Sequence, residues 1–121
     1  MKNMVVWFDI PVNDINRAKA FYTKVFKIKL QAVAEDTPNE MAFFPYDKNT
    51  VSGALCQGVS KPSHNGSTVY LNAGDDLQIP LSRVEEAGGK ILQEKMSIGD
   101  NGFIAFFEDT EGNRVGMHSI N

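Results

Sequence analysis

The sequence predicts an α+β fold of two tandem βαβββ modules whose mixed sheets curl into a half-barrel around a cleft. Two observations carry this reading. Ala42-Phe43-Phe44 and Ala105-Phe106-Phe107 stand 63 positions apart (105 − 42), and a polar turn and a glycine among small apolar residues follow each. The helix entries Val12-Asn13-Asp14-Ile15 and Gly74-Asp75-Asp76-Leu77 repeat at an offset of 62 (76 − 14). One four-stranded sheet with one helix leaves a wide apolar face bare, and a second copy covers it.

Residues 4–12, MVVWFDIPV, form the first strand, β-branched and aromatic and ended near Pro11. Asp14 caps a helix on which Ile15, Ala18, Phe21, Tyr22 and Val25 recur at helical spacing. Strands follow at 28–34, 41–44 and 51–57, with turns at EDTPNE and PYDKNT. The pattern restarts with a strand at 68–73 and a helix over 77–89 in which Pro80 fits only the first turn. Strands at 90–96, 103–107 and 114–119 complete the copy. The expected division is one domain over 1–121: a first module over about 1–57, a Gly/Ser/Pro/Asn-rich linker at 58–67, and a second module over about 68–121.

Composition narrows the function classes. Net charge is −3 with no Lys/Arg run, which argues against nucleic acid and anionic membranes as partners. Cys56 is the only cysteine, so no intramolecular disulfide and no Cys-type zinc site is expected. No stretch reaches the roughly 18 apolar residues of a membrane helix, and a cytoplasmic location is expected.

The stretches WFDIPVNDINRAKAFYTKVF, VYLNAGDDLQIPLSRVEEAGGKI and FFEDTEGNRVGMHS resemble the vicinal oxygen chelate superfamily, the glyoxalase, bleomycin-resistance and extradiol dioxygenase fold. The resemblance spans nearly the whole chain. It implies a cleft where metal-dependent members hold a divalent cation on four inward side chains, and small single-domain members that commonly pair as homodimers. Carried over, the four positions fall on Trp7, Gly53, Val69 and Gly116. An indole, a valine and two glycines offer no side-chain lone pair to a cation. No cofactor is therefore expected, and a divalent metal would need a non-standard site.

Alternation places Asp9 on the face of Trp7, and Arg114 and His118 on the face of Gly116. Trp7, Asp9, Arg114 and His118 are thus the candidate ligand-binding residues, for a small organic ligand. Asp9 and His118 are also candidate catalytic residues, since a carboxylate and an imidazole in an apolar cleft suit acid/base work. Two functions follow: a small-molecule-binding protein without the standard metal centre, or a lyase/isomerase resembling lactoylglutathione lyase. The apolar surface of the first helix, Phe21, Tyr22, Val25 and Phe26, points to a two-fold homodimer contact.

Overall fold

Along β1 (Trp7–Val12), Ile10 and Val12 are buried and Trp7 and Asp9 exposed, the period of two of a strand with one packed face. The computed structural model describes residues 3–32, 40–58 and 60–121. β1 pairs in parallel with β4 (Ser52–Gln57), and β3 (Glu40–Phe43) and β2 (Gln31–Ala32) extend the sheet antiparallel, in the order β1-β4-β3-β2. The second sheet repeats this order as β5-β8-β7-β6, from β5 (Tyr70–Asn72), β6 (Lys90–Ser97), β7 (Phe103–Glu108) and β8 (Arg114–Ser119). β5 and β8 are again the parallel pair. The α+β fold of two βαβββ units with curled mixed sheets is therefore the observed one. The EDTPNE turn and the end of the second strand fall, apart from Glu40, outside the described residues.

α1 (Ile15–Phe26) begins where Asp14 accepts hydrogen bonds from the Asn16 and Arg17 amides, both at 3.1 Å. It ends at Lys27, whose left-handed φ of 55° lets its N–H reach the Thr23 carbonyl. Ile15, Ala18, Phe21, Tyr22 and Val25 are all buried, against both sheets. Phe21 meets Phe107 of the second sheet, and Tyr22 meets both Phe44 and Phe107. Each such ring contributes about 1.5–3 kcal/mol by burial. This corrects the expectation that α1 carries spare apolar surface for a partner, because the second sheet absorbs it within the chain.

The second helix is shorter than the 77–89 expected. α2 spans only Gln78–Leu81, and irregular turns continue to Gly88. Pro80 lies in the first turn, where its missing N–H has no intrahelical acceptor, and beyond it the Arg83 and Val84 amides bond three residues back, to Pro80 and Leu81. Leu77, Leu81 and Val84 are nonetheless fully buried. No described helix is long and apolar enough to cross a membrane.

Candidate functional site

Each sheet packs one face on the shared core and turns the other away from α1. On the first sheet that second face carries an aromatic cluster. The Trp7 ring stands edge-on to Phe43 at 5.2 Å and to Tyr46 at 6.3 Å. The Trp7 indole N–H donates to Asp9 Oδ1 at 3.1 Å. Cys56 lies on the same face, and burial first, then the hydrogen bond and charge of Asp9, push its thiol pKa up to about 12. Such a thiol is inert at neutral pH.

On the second sheet the corresponding face carries Tyr70, Phe106, Arg114 and His118. Tyr70 and Phe106 lie 5.7 Å apart, and the Arg114 guanidinium sits 4.0 Å over the Phe106 ring. Arg114 Nη1 also donates to Thr68 Oγ1 at 2.9 Å. His118 Nε2 contacts the Asn101 carbonyl at 2.6 Å, and a carbonyl only accepts, so that nitrogen carries the proton.

The pairing register separates the four positions expected to share inward faces. Gly53 lies opposite Phe8, and a Cβ there would meet the Phe8 ring at 2.5 Å, on the side packed against the core. Val69 also packs on the core. Trp7 and Gly116 do face away from it, with Ser52 beside Trp7 and Tyr70 beside Gly116. The placement of Gly53 and Val69 is thus corrected by one step, which in a strand reverses the side-chain direction. A Cβ at Gly116 would meet the Tyr70 ring at 2.6 Å, so the glycine is where that ring lies flat on the strand. Among the described residues, no group of three His, Cys, Asp or Glu side chains could hold a metal ion. The donors described do not fit a four-ligand divalent centre within one chain.

Two cavities meet where the sheets adjoin. A groove of about 1240 Å³ is lined by Trp7, Phe44, Tyr70, Asn72, Ile79 and Arg83, among others. A smaller and more polar cavity of about 350 Å³ is lined by Asp9, Pro11, Lys61, Ser63, Asn65 and Arg114, among others. Phe8, Ser67 and Val69 border both. Asp9 and Arg114 therefore share a cavity, Trp7 opens on the neighbouring groove, and His118 lines neither. The expected Asp9–His118 pair is not brought together within the chain. Sequence reasoning missed Lys61, placed in the linker, and Tyr70, whose role shows only when alternation along β5 is counted in register with Gly116.

Residues 4–117 match the family described as the Glyoxalase/Bleomycin resistance protein/Dioxygenase superfamily. The chain belongs to this superfamily. A glyoxylase-like domain-containing protein of Didymella fabae is 36% identical over 110 residues, covering 87% of this chain and 84% of that protein. The anthracycline biosynthesis protein DnrV of Streptomyces peucetius is 28% identical over 88% of this chain, which spans only 43% of that relative. Among solved structures, TnmS3, an antibiotic-binding protein from Streptomyces sp. CB03234, superposes with a TM-score of 0.68 at 22% identity, covering 99% of this chain and 98% of that one. At that identity the likeness is one of fold.

Proposed function

We propose that this superfamily member is a small-molecule-binding protein that works without the standard metal centre. It holds a flat organic ligand against Trp7 in the groove, and Asp9 and Arg114 supply polar contacts only to an arm that reaches the adjoining cavity. The observation that carries this reading is the 1240 Å³ groove walled by exposed aromatic rings, Trp7 on one sheet and Tyr70 on the other. Its size reaches beyond the roughly 300–1,000 Å³ usual for ligand pockets, so a large ligand or a partner surface fits it. The antibiotic-related names of two of the similar proteins support a ligand of that class. Met4, Val5 and Val6 are exposed beside Trp7, at 96%, 59% and 74%. Apolar surface of this kind favours burial in a two-fold homodimer, with the groove beside the interface.

Trp7 is the only tryptophan, so its fluorescence reports on this site alone. Titration with a water-soluble anthraquinone is expected to quench it saturably at one molecule per chain, unchanged by chelator, with Tyr70→Ala weakening binding about fivefold through the lost ring contact. Absence of saturable quenching across a panel of flat aromatics overturns the reading, as does stoichiometric metal in protein purified without chelator. Light scattering near the 13.4 kDa of one chain at all concentrations overturns the dimer.

A further inference from the structure

The smaller cavity has a charge pattern that a flat apolar ligand does not use. Its walls carry two cations, Lys61 and Arg114, and one carboxylate, Asp9, with Ser60, Ser63 and Asn65 between them. Arg114 is held in place by its stacking on Phe106 and its bond to Thr68, which leaves its remaining guanidinium N–H groups without a partner among the described residues. Glu108, its cross-strand neighbour, is taken up by His64 Nε2 at 2.7 Å. Lys61 makes no ion pair among the described residues. Asp9 Oδ1 receives the Trp7 indole N–H.

We propose that this cavity is a subsite for a zwitterionic group, with an ammonium held by Asp9 and a carboxylate held by Lys61 and Arg114. A simple anion placed here meets the Asp9 charge, and a simple cation meets two like charges. Only a ligand bearing both signs satisfies all three walls with charge-assisted hydrogen bonds. The space of about 350 Å³ equals that of about twelve waters in the liquid, enough for an amino acid or a short amino-acid-bearing arm. The shared borders at Phe8, Ser67 and Val69 place the cavity next to the aromatic groove. The proposal rests on the reading of Asp9 and Arg114 as ligand-binding residues, but not on the flat ligand in the groove.

The test is a ruler of ω-amino acids, from glycine through β-alanine and 4-aminobutyrate to 6-aminohexanoate, with diamines and dicarboxylates of matching length. Binding is read by amide chemical shifts of the 60–67 segment and Arg114. One amino-acid length is expected to bind best and to exceed its matched diamine and dicarboxylate. Lys61→Gln and Asp9→Asn are each expected to weaken it about tenfold, the cost of one lost charge-assisted bond. A dicarboxylate or diamine binding as well as the amino acid overturns the proposal, and so does the absence of shifts for the whole series. The anthraquinone titration of Trp7 is independent, so failure of one site is distinguishable from failure of the other.

Discussion

The two hairpins that begin Ala-Phe-Phe share their strands but not their turns. Ala42 and Phe44 are buried as Ala105 and Phe107 are, and Phe43 and Phe106 both turn to the aromatic faces away from the core. Between β3 and β4, residues 45–51 are exposed, and Asp47 serves only its own turn, accepting from the Asn49 amide at 2.8 Å. Between β7 and β8, Asp109, Glu111 and Asn113 are all buried. Glu111 crosses to the other module, where it accepts from the Asn13 and Asp14 amides, both at 2.8 Å, and from Arg17 Nε at 2.7 Å. Asn113 donates to the Pro11 carbonyl, and Asp109 takes the Tyr22 hydroxyl at 2.7 Å. One copy of the turn remained a surface connection, while the other clasps the modules together at the start of α1.

Removing the clasp is expected to give the largest effect. Glu111→Ala leaves two backbone N–H groups at the helix entry and the Arg17 guanidinium without their shared acceptor. The expected loss is about 2 kcal/mol, from three part-buried donors that lose a buried shared acceptor. Urea unfolding measures it, and a loss under about 1 kcal/mol means the turn is as dispensable as its counterpart.

The same residue sets a pH dependence. Burial acts to raise the Glu111 pKa, but Arg17, the Asp14 and Asn13 amides and Thr110 together hold it at about 2, below the usual 4.5. A depressed folded value means that the stabilisation is complete above the unfolded pKa and drains as pH falls through 4.5 towards 2. Stability curves measured between pH 6 and 2 are expected to fall in that window, and Glu111→Gln to flatten that part of the fall. Parallel curves for the two proteins would falsify the assignment.

Tyr22→Phe comes next. It removes one donor to Asp109, which keeps the Asn113 side chain and the Glu111 and Asn113 amides. The expected cost is about 1–2 kcal/mol by urea unfolding, from one buried charge-assisted bond. Burial, and after it Asp109, push the Tyr22 hydroxyl well above its ordinary 10. It is therefore expected to stay protonated in an alkaline titration carried past pH 10.

Which parts were legible in the sequence follows from the range of the forces involved. The strands and α1 show in local periodicity, and Asp14 caps the helix it was expected to cap. α2 was overestimated because, after one turn that accommodates Pro80, the Arg83 and Val84 amides turn to carbonyls three residues back, a change of hydrogen bonding that the apolar spacing of 77–89 does not reveal. The turn Asp109–Asn113 reads as an ordinary hairpin, since nothing local reveals that Glu111 caps a helix starting some hundred residues earlier. At the candidate site, alternation alone sufficed to put Trp7 beside Asp9 and Arg114 beside His118. It failed for Gly53 and Val69, where the facing direction depends on the register of parallel pairs, a long-range quantity. It also could not show that His118 stands apart from Asp9.

The smallest effect tests the exposed turn. Asp47→Ala removes acceptors from the Asn49 amide and leaves the bond between the Asp47 amide and Thr50 Oγ1 in place. The Asn49 amide left behind is open to water, which replaces the lost bond. The expected change is within about 0.5 kcal/mol, the ordinary range for a surface substitution. A cost near that of Glu111→Ala, in the same urea series, would mean that the first turn also holds the modules together, through contacts made only when the chain is paired. Dilution then separates the two explanations, since a loss carried by pairing grows as the protein concentration falls, whereas one carried within the chain stays constant.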